Sequence, residues 1–518
     1  MDTPTVAHPS RILPILLLGA AVTSINISVT NVAAPSIARA LDATSTEIGW
    51  IVDGYTVAFA ALVLVGGAVG DRYGRSRAFV YGAVLMVPAA ALAAWAASPG
   101  ALISARVASG LAGGLLFPAT LSLITDAYPE PSARRRAIAT WSGTVAATSA
   151  SGPVVSGLLV TYFWWGSVFL VTVPLAIATA LLGRRMLPAD PEPDSHPPVD
   201  WIGGLFAAVT VALTLFVVIE SPVHGVTGSV AVAAQVAIAS FVGFIIWERR
   251  TRHPLIALEV FSNRRFSVAS VCVSLAALVL LGTMYLVAQY VQNVLGYSPA
   301  RAGFAALPLS AMMLAVSPAS ARLDERFGTR RVVTAGLLTV ASGLALVLTW
   351  SVDSPYALIA LSLGVVGTGL GLAFTPATNA IMGSVPPDKA GVGSAMNDLT
   401  REVGGALGIA VFGSIVTLRY QGYFREALES LPPEDAERVS ADLAETISES
   451  LTGALEAAKG LAPQDADRVV DAARQAFLDG QSLAVAIGVG ITLAAAALAW
   501  WKLPSEPTSS ERSESSVR

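Results

Sequence analysis

Apolar residues run along this chain in blocks of roughly 20, the length that crosses the hydrocarbon core of a bilayer, with short polar punctuation between them. The blocks fall near 12–36, 47–70, 78–97, 101–125, 134–160, 164–183, 201–220, 229–248, 266–291, 298–320, 332–351, 355–382, 390–418 and 481–502. The pattern predicts an all-α membrane protein with fourteen transmembrane helices. Gly and Pro inside the blocks are compatible with this, because neighbouring helices satisfy freed backbone groups in a membrane. Residues 419–480 break the pattern and are expected as an external loop. In it Leu443, Ile447, Leu451 and Leu455 put one narrow apolar stripe on an otherwise acidic helix. A second short helix is expected after Pro463, carrying Val469, Val470, Ala473 and Phe477, so that the two form a helical hairpin on the outer face. The Pro-rich stretch 188–198 reads as a linker, and the Ser- and Glu-rich tail after Pro504 as disordered.

Composition agrees with a lipid-solvated chain: 54% of residues are hydrophobic and 13% charged, against about 25% charged in a soluble domain. Charge placement says more than the net −4. Loops after even-numbered helices carry Arg72, Arg75 and Arg77; Arg134 to Arg136; Arg184 and Arg185; Arg249, Arg250, Arg252, Arg264 and Arg265; and Arg322, Arg326, Arg330 and Arg331. The short loops on the other face hold Arg39 and Arg301. By the positive-inside rule the even loops and both termini are cytoplasmic. The first apolar block follows Arg11 without a small-residue cleavage site and reads as an uncleaved, self-inserting span.

The same inventory excludes several activities. Cys272 is the single cysteine, so no intrachain disulfide forms. His8, His196, His224 and His253 are scattered through loops and tails and offer no metal or nucleophile constellation. None of Lys389, Lys459 and Lys502 follows a glycine, which removes the phosphate-binding loop of a nucleotide-driven pump. No basic domain supports nucleic-acid binding, and no cofactor or metal is expected.

The loop after helix 2 reads GAVGDRYGRSR from Gly67, and the loop after helix 10 reads ARLDERFGTRR from Ala321. Glu325, Arg326, Gly328 and Arg331 fall on the places of Asp71, Arg72, Gly74 and Arg77. A signature repeated eight helices apart suggests two homologous six-helix halves with helices 7 and 8 inserted between them. With these motifs, and with NVAAP at 31–35, FWWGSVFLVTVP at 163–174 and NDLTREVGGALGIAVFG at 397–413, the chain resembles the major facilitator superfamily (MFS), specifically its fourteen-helix drug:proton antiporters, from about residue 12 to 502. The strings are close to those of exporters of quaternary ammonium compounds and dyes. Asp71, Arg72, Gly74 and Arg75 match the family's gate loop, Arg106 with Gly110 its charged fourth-helix motif, and Gly152, Pro153 and Gly157 its antiporter motif, with Thr148 and Ser156 at two usual glycines. The resemblance implies that the loop closes a cytoplasmic gate.

Each motif also has a physical reading. Gly74 permits the tight turn, Asp71 can face a helix N-terminus across the half-to-half interface, and Asp126 is a candidate partner for Arg75. The Gly–Pro pair of helix 5 permits close packing and a kink where the halves meet.

Ionisable groups inside spans cost about 2.5–3.5 kcal/mol each on insertion scales, so their default reading is functional. They are Asp53, Arg106, Asp398, Arg401 and Glu402. Asp398 and Glu402 share a helical face, with Arg401 one step round. Burial disfavours an ionised carboxyl and a neighbouring arginine favours it, which is the chemistry of a proton carrier; a plain Arg401–Glu402 ion pair is the structural alternative. The resemblance implies that the acids at 53, 398 and 402 serve coupling and cation recognition. It also implies an aspartate five residues before the NVAAP string, where this chain has Asn26. Coupling then rests on the remaining carboxyls, and preference for strongly cationic drugs is weakened. Glu220 reads as a surface residue, Trp50 as part of the outer aromatic belt, and Tyr55, Phe59, Trp141, Tyr285, Gln289 and Phe374 as candidate cavity lining.

The organisation expected is an N-terminal six-helix bundle (1–183), a cytoplasmic linker (184–200), the inserted pair (201–248), a C-terminal six-helix bundle with its external hairpin (249–502) and a tail (503–518). The function expected is proton-coupled export of lipophilic, cationic or amphipathic drug-like compounds by a monomer in a bacterial cytoplasmic membrane, with protons and lipids as its other partners. The alternatives are a dedicated exporter of one metabolite or lipid, and a non-transporting receptor or scaffold, against which the duplicated gate loop and the buried carboxyls argue.

Overall fold

The computed structural model describes residues 9–190, 198–224, 227–256, 258–386, 389–429, 451–460 and 463–504. Among these residues the chain is helical, without strands, and holds fourteen helices long and apolar enough to cross a membrane. In chain order the helices are α1 (Pro9–Leu41), α2 (Ser45–Tyr73), α3 (Arg75–Ala94), α4 (Pro99–Ala127), α5 (Pro131–Tyr162), α6 (Ser167–Leu170), α7 (Thr172–Met186), α8 (Trp201–His224) and α9 (Gly228–Glu248). There follow α10 (Arg264–Gln289), α11 (Pro299–Ala305), α12 (Leu307–Phe327), α13 (Thr329–Val347), α14 (Tyr356–Met382), α15 (Ala390–Glu429), α16 (Leu451–Ala458) and α17 (Pro463–Lys502).

The helices start where the punctuation supplies caps. Thr44 and Glu47 form a reciprocal capping box at α2, and the Ser98, Thr227, Asn263 and Ser298 side chains each accept a first-turn N–H. Glu130 caps α5 from the basic face. The Ser132 hydroxyl and the backbone N–H groups of Ala133 and Ser132 donate to its exposed carboxylate and hold its pKa down at about 2.

Three spans differ from a single uninterrupted helix. The sixth is split at Val171 into α6 and α7, because Pro174 has no N–H for the Leu170 carbonyl. The tenth is split at Ala306, just before Pro308, into α11 and α12. The ninth ends in a π turn at Tyr290–Val294. The segment 419–480 also departs from expectation. No separate second helix starts after Pro463: α17 runs without a break into the last span as one 40-residue helix, because no breaker interrupts its apolar repeat. Likewise α15 continues unbroken to Glu429. Between them α16 packs on α17 and on the π turn, with Leu451, Ala454, Ala473 and Phe477 buried together. Leu443 and Ile447, most of the Pro-rich linker and the tail beyond Pro504 lie outside the described residues.

Helices α1 to α7 pack among themselves, as do α10 to α15 with α17. Two seams join the groups: α2 and α4 against α15, and α5 against α11, α12 and α14. The pair α8–α9 is attached through α8, which lies on both α2 and α15.

Candidate functional site

The gate loop sits at the arginine-rich face between α2 and α3. Gly74 has φ +114°, a backbone conformation that an L side chain enters only with strain. Asp71, in the last turn of α2, reaches across the first seam: its two oxygens accept from the Gly391 N–H at 2.9 Å and the Val392 N–H at 3.0 Å. Those N–H groups are among the unpaired donors of the first turn of α15, where an anion is favoured. Arg75 bridges Asp71, at 2.8 Å, and Asp126 at the end of α4. Gly67 backs the contact, because any Cβ there would lie 2.4 Å from the Gly391 carbonyl oxygen. Arg72 lies half-buried beside this contact.

A further partner was missed in the sequence. Asp190, in the linker after α7, accepts from the Ser76 and Arg77 N–H groups at 2.9 Å each, capping α3 from outside its own helix. Its carboxylate occupies the space that a side chain at position 74 would need. The signal available was an acid in a linker that leaves the same face as the basic loop.

The second gate loop has the same turn, with Gly328 at φ +82°, but different partners. Glu325, at the place of Asp71, lies 3.6 Å from Arg135 of α5, across the second seam. Arg326 and Arg331 are exposed, and Asp324 accepts from the Thr329 hydroxyl at 2.8 Å.

Deeper in the N-terminal group, Arg106 of α4 is wholly buried and donates to the Asn26 side-chain oxygen at 2.6 Å, the Asn26 carbonyl at 3.1 Å and the Ile51 carbonyl at 3.0 Å. Its guanidinium stacks over Tyr55, 4.8 Å from the ring centre. Asn26 thus serves as a neutral acceptor that ties α1 to α4. Asp53 lies one turn inward from Trp50 on α2, within electrostatic range of Arg106 and Glu220. Glu220, read from the sequence as a surface residue, is half-buried.

Across the first seam, α15 presents Asp398, Arg401 and Glu402. Asp398 is 2% exposed; one oxygen accepts from Asn397 at 3.1 Å and the other has no hydrogen-bond partner. Arg401 lies over Phe374, 4.7 Å from the ring centre, with one terminal nitrogen unsatisfied. Among the described residues no ion pair links Arg401 to Asp398 or Glu402. Glu402 is within electrostatic range of Asp398, Arg401 and Tyr55. Of these acids Glu402 interacts across the seam with Tyr55 of α2, whereas Asp53 of α2 is within range of Arg106 and Glu220.

The remaining residues fall outside that cluster. Tyr55, Phe59, Trp141 and Phe374, read as cavity lining, are closed over by packing, with the Trp141 N–H donating to the Thr120 hydroxyl. Tyr285 and Gln289 are half-buried and weakly hydrogen-bonded to each other at 3.5 Å. Gly152 faces α1 rather than the other half: a Cβ there would lie 1.9 Å from the Ser28 hydroxyl oxygen. Gly157 is buried on α5, and the Pro153 side chain lies outside the described residues. Among the described residues no group of His, Cys, Asp or Glu is arranged to hold a metal ion.

Comparison with known proteins agrees with the fold. The chain is 33% identical over 502 residues to the multidrug efflux pump LfrA of Mycolicibacterium smegmatis, covering 96% of each. It is 30% identical to the tetracenomycin C resistance and export protein of Streptomyces glaucescens, covering 98% of this chain and 94% of the relative. Its fold is similar to that of the human organic anion transporter MFSD10, with a TM-score of 0.60 at 13% identity, covering 96% and 100% of the two chains. The Major Facilitator Superfamily profile matches residues 16–409. The chain belongs to the major facilitator superfamily, and is a transporter rather than an enzyme.

Proposed function

We propose that this protein is a proton-coupled drug exporter of a bacterial cytoplasmic membrane, working by alternating access, with the arginine-rich face and both termini cytoplasmic. The observation that carries the reading is the α15 cluster. Asp398 is buried with one oxygen unsatisfied, beside an arginine that pairs with neither acid. A buried polar group without a partner costs about 1–3 kcal/mol, more when it is charged; protonation relieves the charged part of that cost, and an arriving cation supplies a partner. Asp398 and Glu402 bind the proton, Asp53 serves the other side of the seam, and Arg401 sets the balance between charged and neutral forms.

The Asp71–α15 contact closes the cytoplasmic side in the state described here. Opening inward requires the Gly391 and Val392 N–H groups to lose their carboxylate, and rocking of the two halves about the central site supplies the alternative. Both halves are on one chain, so the working unit is a monomer. The relatives named as multidrug efflux and antibiotic resistance proteins support a drug-like substrate. Asn26 is neutral, so the acid that the N-terminal half offers within the span interior is Asp53, which favours singly charged or neutral amphipathic compounds over dications. A dedicated exporter of one compound is the second reading, favoured by the relative named for tetracenomycin C alone.

The test is reconstitution in liposomes with an internal pH dye and an imposed proton gradient, then addition of lipophilic cations and neutral drugs. Substrate-dependent proton movement is expected, abolished by Asp398→Asn or Glu402→Gln. Substrate transport without proton movement sinks the coupling assignment.

A further inference from the structure

The inserted helix α8 is more than a spacer. Its Val211 and Leu215 pack with Ala60 and Val57 of α2 and with Leu399 and Ala406 of α15, so it covers the first seam beside Asp398 and Glu402. At its outer end Phe216 stacks on Trp50 of α2 at 5.7 Å. That stack fixes the register of two antiparallel helices. Asp53 lies three residues inward of Trp50, and Glu220 four residues outward of Phe216 on the same stripe. At about 1.5 Å rise per residue, the two positions are about 10 Å apart along the axis. Side chains lean towards their own helix N-terminus. For α2 that direction is outward and for α8 inward, so the two carboxyls lean towards one another. Their mutual electrostatic interaction agrees with this placement. Glu220 itself stands just beyond the apolar span of α8, which ends at Val218.

We infer that Glu220 of α8 is the outer proton-transfer group of this transporter, taking protons from the external water and handing them to Asp53. The inference rests on the proton-antiport reading. A carboxylate at the mouth collects a proton from water, passes it to the Asp53 carboxylate and returns to its ionised form, so no other reactant is needed. Of the charged and titratable groups on the neighbouring elements, Glu47 on α2 is engaged in its capping box and Arg106 of α4 is within electrostatic range of Asp53, while His224 follows Glu220 by four residues on α8 itself. Arg401, Glu402 and Asp398 of α15 lie deeper along the seam, and α9 brings no charge before Glu248 at the opposite face. This gives the inserted pair two tasks, sealing the seam from lipid and supplying the first acid of the proton route.

Wild type, Glu220→Gln and Glu220→Asp are reconstituted in liposomes, and proton uptake driven by ethidium and by tetraphenylphosphonium is followed as external pH is varied. Glu220→Gln is expected to slow proton uptake roughly tenfold at alkaline external pH, below the usual range for a positioned acid–base group because water gives a partial bypass. The deficit vanishes at acidic external pH, where bulk protons reach Asp53 directly, and Glu220→Asp restores most of the rate. Substrate exchange at equal pH on both sides, which needs no net proton entry, stays normal. An unchanged pH profile in Glu220→Gln overturns the inference and leaves the antiport reading standing. Loss of exchange as well assigns Glu220 a structural role and also overturns it. Wild type that moves substrate without protons overturns the antiport reading and the inference with it.

Discussion

Arg106 and Arg401 are both guanidinium groups set over aromatic rings in the membrane interior, yet they are held in opposite ways. Arg106, in the N-terminal half, spends its donors on the Asn26 side chain and on carbonyls of α1 and α2. Arg401, in the C-terminal half, keeps an unsatisfied nitrogen beside two acids it does not pair with. The gate loops repeat the contrast. Asp71 is matched by two backbone donors and Arg75, whereas Glu325 has a single arginine beyond hydrogen-bonding distance. A fully satisfied buried network rigidifies, while a partly satisfied one is where a change of protonation or ligand has most to gain. The N-terminal half is thus the anchored side of the first seam and the C-terminal half the responsive one.

The largest expected effect tests the responsive side. Asp398→Asn or Glu402→Gln should lower substrate-coupled proton flux by about a hundredfold, the low end of what a positioned acid–base group contributes. Folded stability should hold or rise, because replacing an uncompensated buried charge by a neutral isostere relieves desolvation. Proteoliposome flux and thermal unfolding in detergent measure the two. A large fall in melting temperature for Asp398→Asn would mean that its charge is structural and the contrast false.

The anchored side should behave in reverse. Arg106→Met leaves the Asn26 side-chain oxygen buried without its donor and should cost about 3 kcal/mol of stability, read as a lower melting temperature. Arg106→Lys should recover only part, because an ammonium cannot reproduce the forked contacts to three acceptors. Asn26→Asp sharpens the point: a carboxylate 2.6 Å from the guanidinium should be held ionised, adding no proton to the cycle but widening tolerance for dications in a transport competition assay.

Next comes the gate. Asp71→Ala leaves two N–H groups of α15 without their acceptor in the closed arrangement, a penalty of about 1–3 kcal/mol. The closed state should lose population about tenfold, seen as faster labelling from the basic face of a cysteine replacing Val392.

How much of this was legible beforehand differs by level. The spans were readable because length and apolarity alone define them. The breaks at Val171 and Ala306 were not placed, although Pro174 and Pro308 signal them. Pro463 misled in the other direction, since it starts α17 and the apolar repeat then runs on through Gly480 to Lys502. Asp71, Asp398 and Glu402 were singled out by residue type and spacing. The backbone donors that meet Asp71 across the seam lie 320 and 321 residues away, and no local pattern encodes that Arg106 rests on Asn26 or that Asp190 caps α3. The place of Glu220 beside α2 is likewise set by the packing of α8, which no local pattern encodes.

The smallest expected effect is the most discriminating about the repeat. Arg135 and Glu325 stand 3.6 Å apart with partial exposure at both side chains, a geometry that contributes about 0.2–1 kcal/mol in exposed pairs. A double-mutant cycle with Arg135→Ala and Glu325→Ala, read by thermal unfolding and by labelling from the basic face, should therefore give a coupling energy below the Asp71→Ala penalty. The two loops share Gly at the turn and an acid three residues before it, so sequence symmetry alone predicts equal effects. Unequal effects mean that the halves diverged in what the acid meets, a helix N-terminus in one case and a flexible arginine in the other. Equal effects would return the two loops to one mechanism and confine the asymmetry of the halves to the buried arginines.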